Sequence, residues 1–211
     1  NLNNLYIKRV YNLKEKNTKV PEIIKNHPKY VEIIVDNRIT FKNVFNFCNK
    51  YLTNEMNATG NLDIYLDYNC DWNLDIDYVL ALSRYEVTGE KDKELEKIAF
   101  SNSQDLWIFK SPIYVDNCDF EIGCLGCDNA IADRINNSGY FIKNSPNKYR
   151  IIHIDIARSK DDKITGYKKN KKKPEEEGYY LLPDEDNYHK VNFEPLVKYQ
   201  IICDILNYSK N

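Results

Sequence analysis

The chain has 211 residues, a length that fits one domain or at most two small ones. Its 30 lysines and arginines against 32 aspartates and glutamates give a net charge of −2 at pH 7. This balance argues against a protein whose main partner is nucleic acid, because it provides no surplus of cations for a phosphate backbone. A 42% share of hydrophobic residues excludes general disorder, and the chain lacks the apolar run of about 20 residues that a membrane span needs.

The first residues and the cysteines bear on the processing and the cellular location of the protein. Asn1–Tyr11 has neither an initiator methionine nor the apolar run of a signal peptide, so we expect a trimmed or excised piece of a longer product. Six unevenly spaced cysteines are typical of reduced thiols, which predicts a cytoplasmic protein.

The first half of the chain predicts alternating strands and a helix. Leu5–Tyr11 and Val31–Val35 are predicted strands, the second because of its β-branched apolar run. Thr40 is a predicted N-cap of a helix, because apolar residues follow it at helical spacing. These residues are Phe41, Val44, Phe45, Cys48 and Leu52. Gly60–Asp67 alternates and predicts a strand with Leu62, Ile64 and Leu66 on its apolar side.

The rest of the chain is more mixed. Tyr78–Leu82, Leu106–Phe109 and Arg150–Ile156 are predicted strands, and Lys91–Lys97 is a predicted solvated loop or helical turn. Asp128 is predicted to cap a helix that carries Ile131 and Ile135 and ends at Gly139. Lys168–Glu177 fits a solvated linker better than a site for an anionic partner. This order predicts a single α/β domain with a mixed, mostly parallel central sheet flanked by helices.

Asn61 and Asp63 form the first candidate site. On a regular strand they would share a face with Tyr65 and Asp67. Oxygen ligands at a strand end suit Mn²⁺ or Mg²⁺, which can bridge a diphosphate. A polar strand face in contact with water is the alternative.

The second candidate is Gly123–Asn129. Its two glycines allow close approach of a ligand, and Asp128 and Asn129 follow at a predicted helix start, where they could contact sugar hydroxyls or supply a base. A turn with an N-cap explains the same pattern. Cys124 and Cys127 have the spacing of a metal or redox pair, but no second pair accompanies them.

Two strands carry the remaining candidates. Asp105 and Trp107 could form a sugar-binding pair of a carboxylate and an aromatic ring. A turn at Asp105 followed by a tryptophan in the core explains the same pattern equally well. His153 lies beside Asp155 on a predicted strand, where it is either a ligand or a satisfied polar group. The sequence contains no Walker loop, dinucleotide fingerprint or Ser–His–Asp pattern.

Taken in order, several segments resemble the GT-A-fold nucleotide-sugar glycosyltransferases, including the capsid-glycan enzymes of chlorella viruses and other large DNA viruses. The segments are Arg38–Lys42, Asn61–Asp67, Ala81–Glu86, Ser103–Phe109, Gly123–Asn129 and Ile152–His153. The resemblance runs from Leu5 to Arg158. It implies a GT-A-like single domain over residues 1–211, with a nucleotide- and metal-binding half over residues 1–90 and an acceptor half and C-terminal tail over residues 91–211.

The resemblance also implies roles for individual residues. Asp63 and His153 would bind Mn²⁺ or Mg²⁺ with help from Asn61, which stands where the family usually has aspartate. Asp128 would be the catalytic base, with Asp105 as the second catalytic carboxylate. The remaining residues would bind the donor: Arg38, Asn61, Asp63, Arg84, Trp107 and Asn129. Relatives carry a further strand and helix ahead of this chain's start that holds the uracil ring, so the chain is expected to be truncated or to recognise the base differently.

The expected function is therefore metal-dependent transfer of a hexose or deoxyhexose, of glucose or rhamnose type, from a UDP-sugar to a glycan or glycoprotein acceptor in viral capsid glycan synthesis. The expected partners exclude nucleic acid and a membrane span. A non-catalytic sugar- or nucleotide-binding domain on the same fold is the first alternative. A small zinc or redox module around Cys118, Cys124 and Cys127 is the second.

Overall fold

A computed structural model describes residues 1–88, 94–97, 104–123 and 127–153. The helices are α1 (Glu22–Lys25), α2 (Phe41–Tyr51) and α3 (Cys127–Asn137). The strands are β1 (Val10–Glu15), β2 (Tyr30–Val35), β3 (Met56–Gly60), β4 (Ile64–Leu66), β5 (Val79–Leu82), β6 (Arg84–Thr88), β7 (Glu94–Lys97), β8 (Leu106–Lys110), β9 (Ile142–Lys143) and β10 (Ile151–His153). In these ranges we find no helix with the length and apolar character to cross a membrane. The predictions for Lys168–Glu177, Cys124 and Asp155 lie outside the described residues.

The strands form three sheets. β1 and β2 pair in parallel, one four-stranded sheet has the order β3-β8-β5-β9, and the other has the order β4-β10-β6-β7. Four of the seven strand pairs within the described ranges are antiparallel. The α/β class is therefore correct, but the mostly parallel sheet is wrong. Only β6 and β7 are consecutive strands among the antiparallel pairs; the pairs β4–β10, β3–β8 and β5–β8 join strands that are distant along the chain, so the order of elements in the sequence does not give their direction.

The sheet β3-β8-β5-β9 separates two apolar cores. On one face Ala81 and Trp107 pack with the helices α2 and α3. On the other face Leu80 and Ile108 pack with residues of β4 and β10, including Ile151. All four residues of β5 are buried, as expected for a strand covered on both sides.

The chain passes from one four-stranded sheet to the other at Ser83, between β5 and β6. Asn144 holds this crossing. Its side-chain oxygen accepts from the Ser83 backbone N–H at 3.1 Å, and its amide donates to the Ser83 hydroxyl at 2.7 Å. The backbone N–H of Asp105 donates to the Leu82 carbonyl at 2.9 Å, which brings the start of β8 to the same point.

Several predicted elements are confirmed. β2, β5 and β8 lie where the apolar runs predicted strands, and β10 covers the described part of the last predicted strand. α2 begins after Thr40, whose hydroxyl accepts from the Asn43 backbone N–H while the Asn43 side chain accepts from the Thr40 N–H. This reciprocal capping satisfies two helix-end donors.

Three local predictions are wrong. Asn61, Leu62 and Asp63 interrupt the predicted strand Gly60–Asp67, so β3 and β4 enter different sheets and Leu62 is 88% exposed. The first strand begins at Val10 rather than Leu5, after a segment of turns. Glu94–Lys97, predicted as loop or helical turn, is strand β7, which pairs with β6.

Candidate functional site

The register of β10 sets the position of His153. This residue stands opposite Glu86 in the parallel pairing with β6 and opposite Ile64 in the antiparallel pairing with β4. Its imidazole is buried, with 3% of the residue exposed. Its Nδ1 lies 2.7 Å from a carboxylate oxygen of Glu86, and its Nε2 lies 3.0 Å from a carboxylate oxygen of Asp63. The ring therefore bridges two carboxylates that come from opposite neighbours.

Asp63 comes from the turn that joins β3 to β4. The Ile64 backbone N–H donates to the Asn61 carbonyl at 3.3 Å and closes this turn. The Asp63 side chain is half exposed, so it faces both solvent and His153. Asn61 is exposed in the same turn. The predicted pair of Asp63 and His153 is thus brought together, although Asp63 lies on a turn and not on a strand face.

A row of ion pairs continues from Glu86 into the protein. The second carboxylate oxygen of Glu86 accepts from Arg84 Nε at 2.8 Å, and Arg84 Nη1 donates to Asp105 at 2.6 Å. Arg84 and Glu86 lie two residues apart on β6 and so share a face of the strand. Asp105 is 5% exposed, and its other carboxylate oxygen has no hydrogen-bond partner among the residues that the structure describes.

The environment changes the acidity of both carboxylates. Burial acts to raise the pKa of Glu86, but the hydrogen bonds from His153 and Arg84 outweigh it and hold that pKa below its usual value. Burial raises the pKa of Asp105, and the attraction of Arg84 offsets only part of this rise. Glu86 is therefore stabilised as an anion, while Asp105 is held in a site that disfavours its charge.

Asp128 and Asn129 lie in the first turn of α3. Asp128 is the second residue of the helix rather than its predicted cap, and it is partly buried. Burial and the negative charge of Asp105 raise its pKa to about 7. A group of this pKa exchanges protons readily at neutral pH, as a general base must. Asn129 is buried, and within the described ranges its side-chain oxygen has no hydrogen-bond partner.

Negative charge exceeds positive charge among these side chains. The carboxylates of Asp63, Glu86, Asp105 and Asp128 accompany one guanidinium and one imidazole. We call these six residues the polar cluster: Asp63, Arg84, Glu86, Asp105, Asp128 and His153. Its residues come from both predicted halves of the chain. Because carboxylates outnumber positively charged groups in the polar cluster, the cluster favours binding of a cation.

The donor atoms on the Nε2 side of His153 fit a divalent cation. A half-exposed carboxylate and an imidazole nitrogen face each other there, whereas Glu86 contacts the opposite ring nitrogen and cannot share the same ion. Among the residues described, no three His, Cys, Asp or Glu side chains gather as a metal site. A bound ion would take its other ligands from water and phosphate, as Mg²⁺ commonly does.

Arg38 lies apart from the polar cluster. Its guanidinium donates to the Ile122 carbonyl at 3.2 Å and is 3.6 Å from Glu121. A side chain on Gly123, whose φ is +82°, would be strained and would come within 3.1 Å of Arg38. Arg38, Asn61 and Asp63 line one open groove of about 1890 Å³. Asp63 therefore connects this groove with the polar cluster.

Trp107 does not form the predicted sugar-binding surface. Only 2% of the residue is exposed, and it packs in the core between its sheet and the helices. The helices α2 and α3 cover the face of β8 that carries Trp107, as the alternative of a turn followed by a core tryptophan describes.

Glu86 is the residue of the polar cluster to which sequence analysis gave no role. Its carboxylate contacts both His153 and Arg84. The available signal was the charged pair at positions 84 and 86, directly after the fully apolar β5.

The described cysteines do not support a zinc or redox module. Cys48, Cys70, Cys118 and Cys127 are buried thiols that form no disulfide with one another. Burial raises the pKa of Cys118, which disfavours the thiolate that metal binding and redox exchange require.

We compared the chain with protein-family models, curated proteins and solved structures, and none of them matched.

Proposed function

We propose that this protein is a metal-dependent glycosyltransferase with a GT-A-like fold that moves a hexose or deoxyhexose from a UDP-sugar to a glycan or glycoprotein acceptor, in the synthesis of viral capsid glycans. The observation that carries the proposal is the meeting of five residues predicted for this chemistry. Asp63, Arg84, Asp105, Asp128 and His153 are spread over 90 positions of the chain, yet they belong to one polar cluster.

The donor end of the proposed site is the Asp63 side. Asp63 and Nε2 of His153 would hold Mn²⁺ or Mg²⁺, with Asn61 in the same turn. When bound, the ion would supply positive charge that stabilises the departing diphosphate. Arg38, which lines the same groove, would add a second cation. These contacts would orient the diphosphate before the sugar is transferred.

The acceptor end of the proposed site is the Asp128 side. An ionised Asp128 would take the proton from the acceptor hydroxyl as that oxygen attacks the anomeric carbon and the bond to the diphosphate breaks. Its pKa of about 7 fits this role. In the part of the chain that the structure describes, a buried carboxylate oxygen of Asp105 and the buried amide oxygen of Asn129 have no partner, so both could accept hydrogen bonds from sugar hydroxyls.

The proposed setting is the cytoplasm. The four described cysteines form no disulfide with one another, which suits a reducing compartment.

Calorimetric titration with UDP tests the proposal. We expect the wild type to bind UDP with Mn²⁺ present, to bind it far more weakly without Mn²⁺, and to lose the metal-dependent part in Asp63→Ala. Asp36→Ala is the matched control, because Asp36 is an exposed carboxylate that pairs with the exposed Lys16 at 2.7 Å. Absence of UDP binding with and without metal would contradict the proposal.

A non-catalytic sugar- or nucleotide-binding domain is the second candidate. The turn between β3 and β4 offers Asn61 in place of a second carboxylate, and this observation favours a site with weaker metal binding. The candidates differ in turnover. Release of UDP from a UDP-sugar, lost in Asp128→Asn, would support the enzyme, whereas UDP binding without release from any of a panel of UDP-sugars would support the binding domain.

A further inference from the structure

Glu86 occupies a central position in the polar cluster without a role in the proposed reaction. One of its carboxylate oxygens contacts His153 Nδ1 at 2.7 Å, and the other accepts from Arg84 at 2.8 Å. The residue is partly buried. Because both oxygens are engaged by protein groups, Glu86 is not a free ligand for substrate or metal. Its contacts instead determine how two other site residues are oriented.

A neutral imidazole carries its proton on one nitrogen only, and the hydrogen bond of that nitrogen determines which one. Glu86 accepts from Arg84 with one carboxylate oxygen and offers the other as an acceptor at Nδ1. Asp63 offers a second acceptor at Nε2, but its contact is 3.0 Å long against 2.7 Å for Glu86, and its side chain is 50% exposed against 25%. The shorter and less solvated contact with Glu86 therefore favours the proton of a neutral His153 on Nδ1, and the lone pair is left on Nε2. That nitrogen faces Asp63 at 3.0 Å.

We propose that Glu86 is the positioning residue of this site: it fixes the Nδ1–H tautomer of His153, so that the Nε2 lone pair is available beside Asp63, and it holds Arg84 against Asp105. The inference deepens the proposed function and rests on it for the use of Nε2 as a metal ligand. Carboxylates that accept from the outer nitrogen of a metal-binding histidine raise its basicity and fix its ring.

The sheet register supports this assignment. Glu86 and His153 are directly paired residues of neighbouring parallel strands, so the strand pairing itself brings their side chains next to each other. Arg84 is paired in the same way with Ile151, a core residue that is fully buried. These two residue pairs of one backbone ladder place the Glu86 carboxylate next to the His153 imidazole.

Nuclear magnetic resonance of the full chain labelled with ¹⁵N-histidine measures the tautomer without any metal or substrate. The chain has three histidines, and His153→Gln assigns the signal. The pH is raised until the shifts stop changing, so that the ring is neutral. We expect the proton of wild-type His153 on Nδ1. In Glu86→Ala we expect it to move to Nε2, the tautomer that free imidazole side chains prefer.

Two further variants separate positioning from general stability. Glu86→Gln keeps an oxygen that can accept from Nδ1 and should keep the wild-type tautomer, and it replaces the alanine variant if that variant does not fold. Glu22→Ala removes an exposed carboxylate on α1, paired with Lys25, and should leave His153 unchanged. A wild-type proton on Nε2, or an unchanged tautomer in Glu86→Ala, would overturn the inference.

Binding of Mn²⁺ followed by electron paramagnetic resonance provides the second readout. We expect Glu86→Ala to weaken Mn²⁺ binding by roughly 10- to 100-fold, as loss of such a partner typically does, and Glu86→Gln to weaken it less. Equal affinity in wild type and Glu86→Ala would overturn the positioning role. If the wild type bound no Mn²⁺ at all, the metal in the proposed function would fail, while the tautomer measurement would still decide the role of Glu86.

Discussion

The two four-stranded sheets differ in what they bury. The sheet β3-β8-β5-β9 is covered by apolar residues on both faces, with β5 completely buried. The sheet β4-β10-β6-β7 adds apolar residues such as Ile64 and Ile151 to the shared core, but it also brings Arg84, Glu86 and His153 together. The change occurs within two residues, between Leu82 and Arg84. One sheet thus provides the scaffold, and the other carries the charged groups at its margin.

This difference teaches which features depend on exact pairing. An apolar face stays buried if a neighbouring residue shifts slightly, because burial has no direction. A row of hydrogen bonds and ion pairs requires particular atoms to meet. The scaffold sheet should therefore respond to lost volume, and the charged sheet to lost partners.

The largest expected effect belongs to the scaffold sheet. Trp107→Ala should lower the free energy of unfolding by about 3–5 kcal/mol, because a fully buried ring is replaced by a cavity. Chemical denaturation measures the change. Trp107→Phe is the control and should lose clearly less. A Trp107→Ala protein of wild-type stability that no longer binds sugar would contradict the core position and restore the sugar-binding hypothesis.

The next effect tests the dependence on partners in the charged sheet. Arg84→Ala should lower the free energy of unfolding by about 2–4 kcal/mol, because it leaves the Asp105 carboxylate buried without its cation. Adding Asp105→Asn to an Arg84→Met protein should recover most of the loss, since both charges are then absent. A double-mutant cycle measured by urea unfolding gives the coupling energy, and a coupling energy near zero would exclude the ion pair as a stabilising contact.

Asp128→Asn tests how much the negative charge of Asp128 lowers the stability of the folded protein. The pKa of Asp128 is about 7 in the folded protein and 3.8 in the reference state. Between these values the folded state binds more protons than the unfolded state, so this group's contribution to stability falls as pH rises towards 7. Above pH 7 the asparagine variant should be more stable than wild type by on the order of 1–2 kcal/mol, and the gap should close as pH falls towards 4. Thermal unfolding across this pH range measures the gap, and a pH-independent difference would contradict the raised pKa.

The smallest effect is expected at Leu62, with the buried Leu66 as its matched comparison. Leu62 is 88% exposed in the turn and Leu66 is 8% exposed in β4. Leu62→Ala should change the free energy of unfolding by less than about 0.5 kcal/mol. Leu66→Ala should cost about 2–4 kcal/mol. If both variants lost the same free energy of unfolding, Leu62 would be buried like Leu66, and the predicted unbroken strand Gly60–Asp67 would be supported.

Apolar patterning predicted the scaffold well. α2 was predictable because its cap and its apolar face are both written in a short stretch after Thr40. β5 and β8 were predictable because buried strands are short apolar runs. The β-branched run also located β2, although none of the residues of this strand is fully buried. The turn at Asn61–Asp63 was not predictable, because the apolar and polar residues alternate through it just as they would along a continuous strand.

The candidate site was only partly predictable for a related reason. Residue type and the family resemblance selected Asp63, Asp105, Asp128 and His153, which the fold assembles with Arg84. Strand order and direction depend on contacts between distant segments, and sequence periodicity does not contain them. Alternation gives the face of a strand but not what covers it, which is why Trp107 was assigned to a pocket. Glu86 belongs to no motif, and its importance follows from register alone.

The short strand β10 has a consequence for which changes in chain length the protein can accept. Its three residues are held in register by β4 on one side and β6 on the other. The preceding connection is anchored at Asn144, which is bound to Ser83. Surface connections usually accept insertions, but a one-residue slip of a strand turns every side chain to the opposite face. An insertion or deletion between Asn144 and Ile151 that shifted this strand would turn His153 away from both carboxylates, while lengthening the turn around Asn54 would leave the pairing of β10 intact.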